Sequence, residues 1–355
     1  PAFQSYESFD LARGYVTDDY FGMMADNAGE LSGSDQQEVA TGRFPVSNIV
    51  EAKASVDKIL AFENDSFGDW RNQITMIADD PDDPSEFVLQ QAVDMIAQDI
   101  EQNHPVFNLK KIYADAYQQE TSAGGERYPT VNLAIDNAIT AGTLLVDYFG
   151  HGGVDGWANE RILEVPQIQN WTNTPFFPLM ITVTCEFSRF DNPLRPTAGE
   201  YVFWNQNGGS SAMISTTREI FISTGQIFNR SLIKNLLQID TEQSMAEALM
   251  RTKNETFSTQ KFFVYYFGDP AIQLGRAKPN VQISKLNGKD ISQVKDTLKA
   301  LSKINIEGWV TNSNNQILDD FNGEISTTIF DKPLDKTTLD NDNFGRKMEF
   351  TAVES

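Results

Sequence analysis

The chain has 355 residues, 40% hydrophobic and 22% charged, enough for a sizeable core and for two or three domains, which excludes a disordered or fibrous polymer. Acids outnumber Lys and Arg by 50 to 28, and the formal net charge of −22 argues against binding nucleic acid or anionic lipid through bulk charge. A single cysteine excludes an internal disulfide, and no stretch is long and apolar enough for a membrane-spanning helix.

The opening residues, PAFQSYESFD, do not read as a natural start and suggest a piece of a longer precursor. The lack of a visible leader therefore does not place the protein in the cytoplasm. Residues 1–66 are expected to be the end of an incomplete α/β subdomain. Tyr15–Met24 is acidic and aromatic, a loop beside a short strand. Asp18, Asp19, Asp26 and Glu30 offer carboxylate oxygens to a cation such as a structural calcium; a solvated acidic loop is the plainer alternative. Thr41–Pro45 predicts a strand ending at its proline. Ser47 predicts the N-cap of a helix running to Phe62, with Ile49, Val50, Val56, Ile59 and Leu60 at helical spacing.

A second α/β unit, residues 67–276, begins with the apolar run Ile74–Ala78, a buried strand ending in the acidic turn Asp79-Asp80-Pro81-Asp82-Asp83-Pro84. A helix is expected from Ser85 to Glu101, a strand over Asn108–Tyr113, an exposed loop over Ala114–Arg127 and a helix over Thr130–Ala141. His104, before a proline at a helix end, reads as a surface loop residue. Alternating strands and helices predict a parallel sheet.

The next strand, Leu144–Phe149, runs into Gly150-His151-Gly152-Gly153. Phe177–Cys185 repeats the pattern, and its last residue is the only cysteine. Ligands gather at the carboxyl ends of parallel strands, so neighbouring strands ending in His151 and Cys185 would set a base beside a nucleophile. Imidazole can take the thiol proton, and the N–H groups of Gly152 and Cys185 are candidate donors to an oxyanion. The bland alternative is a buried, inert thiol and a turn histidine satisfied by backbone.

After Cys185, the loop Glu186–Pro196 is expected to line the site. A helix over Ala198–Trp204 and a strand over Ser210–Ser215 follow. The exit loop Thr216–Gly225 reaches the same face of the sheet. Its candidate substrate contacts are Thr217, Glu219, suited to a basic side chain, and Phe221 with Ile222, an apolar wall; simple packing is the alternative. Helices at Ile227–Leu237 and Ser244–Lys253 and a strand at Lys261–Tyr266 complete the unit. From Lys278 the helical periodicity fades. Val281–Lys285, Ile304–Val310 and Ile325–Phe330 predict short strands, with an edge segment at Asp296–Leu301, as at the start of an incomplete β-sandwich over residues 277–355.

Tyr148-Phe149-Gly150-His151-Gly152-Gly153, Val183-Thr184-Cys185 and Phe267-Gly268-Asp269-Pro270 resemble the gingipain-type cysteine peptidases of family C25 over residues 1 to about 276. Gly42-Arg43-Phe44, Asp69-Trp70-Arg71-Asn72 and Ile77-Ala78-Asp79-Asp80 look closest to the sortase-type members that serve the type IX secretion system. The resemblance implies a caspase-like α/β fold followed by an immunoglobulin-like module. It also implies Cys185 as nucleophile, His151 as general acid/base and Gly152 at the oxyanion hole. A third acid orients the histidine in such enzymes, and Asp79 or Asp80 falls nearest here. No cofactor is implied as required. The implied partners are cargo proteins with a C-terminal secretion signal, an anionic lipopolysaccharide acceptor and other type IX secretion components, at the outer membrane surface of a Bacteroidetes bacterium. A secreted general protease and a non-catalytic scaffold of the same fold are the competing readings.

Overall fold

The computed structural model describes residues 6–7, 14–64, 67–238, 242–276, 279–294, 298, 301–312, 314–325, 327–330 and 332–353. Six strands form the central sheet: β1 (Gln73–Ala78), β2 (Asn108–Tyr113), β3 (Leu145–Phe149), β4 (Leu179–Val183), β5 (Ala212–Thr216) and β6 (Val264–Phe267). Their order across the sheet is β6-β5-β4-β3-β1-β2. All neighbours are parallel except β5 and β6. The order therefore reverses between β1 and β3, where chains leaving the two carboxyl ends diverge and open a crevice.

Why these segments form a doubly covered sheet is visible in their side chains. Runs such as ITMIA and LMITV are apolar almost without interruption because both faces are buried. Successive residues alternate between two cores. Ile74, Met76, Leu145 and Ile181 meet Leu89, Val93 and Ile96 of α2 (Val88–Asn103) and Phe228 and Leu232 of α6 (Ile222–Leu236) on one face. Ile77, Val146, Tyr148 and Met180 meet Val131, Ile135 and Ile139 of α3 (Pro129–Ala141), Ile168 of α4 (Val165–Asn170) and Val202 of α5 (Ala198–Trp204) on the other. No helix among the described residues is long and apolar enough to cross a membrane.

Three local expectations change. In α1 (Ile49–Asn64) the inward residues are Ser55, Lys58, Ile59 and Phe62. Ile49, Val50, Val56 and Leu60 of the expected stripe are exposed. The helix α6 starts at Ile222, inside the predicted exit loop, because Gly225 lets it close on the sheet: a Cβ there would lie 2.8 Å from the Phe149 ring. The acids Asp18 and Asp19 are neutralised within the protein. Asp18 pairs with Arg43 at 2.6 Å, and Asp19 with Lys253 at 2.6 Å, both members of the second pair being buried. These two acids therefore already have cations and do not form the cation site considered from sequence.

Residues up to Gly275 form one compact unit together with Ile329 onward, while Arg276–Thr328 form a second. In the second unit, β7 (Asn280–Leu286) pairs with β8 (Ile306–Thr311) and with Lys289–Asp290 in a three-stranded antiparallel sheet. No strand is present among the described residues of Ile325–Phe330. Within Asp296–Leu301, residues 296–297 and 299–300 lie outside the described residues. The last segment belongs with the first unit. It forms the hairpin of β9 (Leu334–Thr337) and β10 (Glu349–Ala352), and Phe350 packs on Tyr113 of β2 with ring centroids 4.7 Å apart. Between those strands, the Asp115 carboxylate accepts from the backbone N–H groups of Asp340 and Asn341 and from the Asn341 amide.

Candidate active site

Strand register brings the two sequence-predicted reactive residues together. Val183 of β4 pairs with Phe149 of β3, and Cys185 and His151 each lie two residues beyond that pair. The turns that carry them touch: a Cβ on Gly152 would meet Thr184 Oγ1 at 2.5 Å and the carbonyl oxygen of Gly156 at 3.0 Å. Only glycine fits there, which lets the backbone after the histidine approach the turn that carries Cys185.

The histidine is held from three sides. Its backbone N–H donates to Asp79 Oδ2 at 2.7 Å, and its carbonyl accepts from the Tyr148 hydroxyl at 2.5 Å and from the Ala158 N–H at 2.9 Å. Its ring Nε2 lies 3.0 Å from Glu86 Oε1. The other Glu86 oxygen accepts from the backbone N–H of Asp82 at 3.0 Å, so the carboxylate is clamped between its own loop and the imidazole. With Nε2–H donating to Glu86, the proton-accepting lone pair sits on Nδ1.

This geometry corrects the expected acid. Neither Asp79 nor Asp80 faces the imidazole. Asp79 supports the histidine through its backbone, and Asp80 Oδ2 accepts from the Tyr128 hydroxyl at 2.8 Å. Both are buried behind the turn. The carboxylate that reaches the ring, Glu86, is eight residues past the strand end, where the acidic turn has folded back. The strand-end argument points to the right loop, but contact in space decides which of its carboxylates reaches the ring.

Around the sulfur, the ends of β4 and β5 are laced by hydroxyls. Thr182 and Ser215 share a bond at 2.8 Å, Ser188 Oγ donates to Ser215 Oγ at 2.8 Å, and Thr216 Oγ1 donates to the Thr184 carbonyl. Glu186, next to Cys185, has φ +51°, a conformation L residues rarely adopt, and pairs with Arg189 at 2.7 Å. Burial pushes the Cys185 thiol above its ordinary value; the backbone N–H of Ile220 opposes this, and the charges of Glu219 and Glu186 add to it. The thiol is therefore held in its neutral form, and a reactive sulfur needs a base to take its proton.

The candidate substrate contacts separate. Glu219 is exposed, and Phe221 is 70% exposed at the start of α6. Glu186 is half-buried beside the sulfur. Thr217 is not available to substrate: it is fully buried, with its N–H and hydroxyl both directed at the Phe263 carbonyl, so it shapes the loop instead. Arg218 pins that loop to the one after Cys185 through a two-pronged pair with Asp191, at 2.6 and 3.0 Å.

Behind the histidine lies a second group of acids, Asp79, Asp80 and Glu160. Burial is the main cause of their raised pKa values, with mutual repulsion adding: Asp80 is pushed up to about 8, Glu160 to about 7, and Asp79 well above the carboxylate range.

The model of peptidase family C25 matches residues 1–275. The fold is similar to that of gingipain R (RgpB), the Arg-specific cysteine proteinase, with a TM-score of 0.59 at 20% identity, covering 76% of this chain and 62% of that one. The complex of RgpB pro- and mature domains from Porphyromonas gingivalis matches with a TM-score of 0.58 at 17% identity, over 76% of this chain and 64% of that one. Latent dimeric PorU from the same organism matches at 19% identity over 98% of this chain and 27% of that one, with a TM-score of 0.37. The chain thus spans about two-thirds or less of the length of these proteins. No curated protein sequence matches. With its central, mostly parallel sheet of the gingipain caspase-like type and a family match reaching from residue 1 to residue 275, the chain belongs to peptidase family C25.

Proposed function

We propose that the chain carries the catalytic domain of a cysteine endopeptidase in which Cys185, His151 and Glu86 act as a triad. The observation that carries this is the Glu86–His151 contact of 3.0 Å at the end of the strand next to the one that delivers Cys185. Glu86 fixes the tautomer, and His151 Nδ1 takes the thiol proton as sulfur attacks the scissile carbonyl carbon. Carbon gains a bond to sulfur, and its oxygen becomes an oxyanion beside the Gly152 turn. The imidazolium then protonates the departing amine and leaves a thioester. An amine or a water, losing its proton to His151, resolves it.

The reading extends to a sortase of the PorU type. It removes the C-terminal secretion signal of cargo and transfers cargo to an amine of anionic lipopolysaccharide, together with other type IX secretion components, at the outer surface of a Bacteroidetes cell. Supporting this are the segments Gly42-Arg43-Phe44, Asp69-Trp70-Arg71-Asn72 and Ile77-Ala78-Asp79-Asp80, which resemble that branch. The antiparallel unit over Arg276–Thr328 is proposed as part of an immunoglobulin-like module. The test offers the intact protein cargo with an uncleaved signal and a lipopolysaccharide amine. Shortened, lipid-linked product from wild type and none from Cys185→Ala is expected; equal processing by both defeats the assignment. A secreted general protease is the second reading, favoured by the two acids, Glu219 and Glu186, that bear on the sulfur and suit a basic side chain. Rapid cleavage of simple arginine or lysine peptides would select it.

A further inference from the structure

We propose that Gln260 is a positioning residue for Cys185: its side-chain amide holds the Glu219–Ile220 peptide so that the Ile220 N–H faces the sulfur, giving a thiolate a backbone donor from the loop after β5. This deepens the peptidase reading and rests on it for its catalytic meaning.

Strand register sets up the contact. Thr216 of β5 lies opposite Val264 of β6 in an antiparallel pair. One rung beyond, the Thr217 N–H donates to the Phe263 carbonyl at 2.8 Å. Gln260 lies in the short helical turn Thr259–Phe263, as many residues before Val264 as Ile220 lies after Thr216. There its buried side chain takes over from the backbone ladder. Its Nε2 donates to the Glu219 carbonyl at 3.3 Å, and its Oε1 accepts from the Phe221 N–H at 3.2 Å. The other end of the loop is fixed separately. Besides its pair with Asp191, Arg218 donates to the Gly14 carbonyl at 2.9 Å and to the Thr217 carbonyl at 2.7 Å.

The C=O and N–H of a trans peptide point in opposite directions. With the Glu219 carbonyl and the Phe221 N–H both turned to Gln260 on the β6 side, the Ile220 N–H is turned the other way. Since β5 lies between β6 and β4, that direction is toward the strand that delivers Cys185. The Ile220 N–H accordingly bonds the sulfur. A hydrogen bond to the ionised form favours ionisation, and here it works against burial and two carboxylates. The loop after β5 contributes Glu219, the loop after β4 contributes Glu186, and the turn after β3 carries His151. Freed from Gln260, the Glu219–Ile220 peptide can rotate, and the thiolate loses its donor.

The experiment measures the rate of Cys185 alkylation by iodoacetamide against pH on the intact protein, with melting temperatures alongside. It needs no cleavage of substrate, so a failed peptidase assignment leaves its result standing. Gln260→Met is expected to raise the midpoint by about one pH unit, which makes alkylation roughly tenfold slower at a fixed pH below it. Thr217→Val removes the hydroxyl bond to the Phe263 carbonyl at the base of the loop and leaves the Glu219–Ile220 peptide untouched. It is expected to melt lower with the midpoint unchanged. An unchanged midpoint in Gln260→Met, or an equal rise in Thr217→Val, would overturn the role of Gln260. A second measurement does not depend on Gln260→Met folding. In protein labelled with 15N-isoleucine, the Ile220 amide proton is expected to move upfield from wild type to Cys185→Ala, as the bond to sulfur is lost. An Ile220 amide that stays in place would overturn the donor.

Discussion

Asp147 offers a quantitative test of the sheet that carries the histidine. It sits in the middle of β3, fully buried, where Asn229 Nδ2 of α6 donates to its Oδ2 at 2.9 Å. Asp147 Oδ1 and Asn229 Oδ1 are both buried without a partner. A proton on Asp147 would supply the donor that this pair lacks. Burial, partly opposed by the Asn229 bond, moves its pKa from 3.8 to about 7. The folded form therefore binds the proton more tightly than the unfolded chain. The favourable contribution is complete below pH 3.8 and is lost progressively as pH rises to about 7. At about 1.4 kcal/mol per pKa unit, this amounts to on the order of 4 kcal/mol, of which roughly 3 kcal/mol falls between pH 5 and 8. Asp147→Asn keeps the shape and cannot ionise. Urea unfolding of both proteins at the two pH values isolates the group, because every other titration cancels in the difference. The stability of the variant relative to wild type is expected to improve by roughly 3 kcal/mol from pH 5 to pH 8. A pH-independent difference would refute the claim that this carboxyl is kept protonated in the fold.

Glu86→Gln is expected to lower kcat on the order of 10²-fold with little change in KM, because it removes the orienting charge and not a substrate contact; unchanged kcat would remove Glu86 from the triad. The rate of Cys185 alkylation by iodoacetamide should climb with pH through a midpoint above the ordinary thiol value of 9.0. Glu219→Gln should lower that midpoint by withdrawing a negative charge, and a midpoint that stays put or rises contradicts the electrostatic account. Gly152→Ala forces a Cβ to within 2.5 Å of Thr184 Oγ1 and should destabilise by about 1–3 kcal/mol while abolishing turnover; normal activity would show that the turns are looser than described. Lys253→Met strands Asp19, buried with its partner, and should cost about 3–5 kcal/mol, most of it recovered by adding Asp19→Asn. Additive losses in the double variant would show that the two side chains act independently.

Much of this architecture can be read along the chain because it rests on local periodicity. Ile74–Ala78 and the run before Cys185 are apolar on both faces, as strands covered on both sides of a parallel sheet must be. Once those strands are parallel, their carboxyl ends share one edge, so the placement of the His151 and Cys185 turns at neighbouring strand ends could be read from sequence. The inward face of α1 was not legible, since exposed Ile49 and Val50 carry the same helical spacing as buried Ile59. Nor was the return of Leu334–Ala352 to β2, a contact between residues more than two hundred positions apart. The tertiary structure alone set Glu86, and not Asp79 or Asp80, against the imidazole. Composition places a run of acids after β1, but a carboxylate acquires its role from what it faces, and that depends on how the loop folds back over the neighbouring strand end. The same folding buries the two passed-over aspartates against Glu160, a meeting of charges that no spacing in the chain announces.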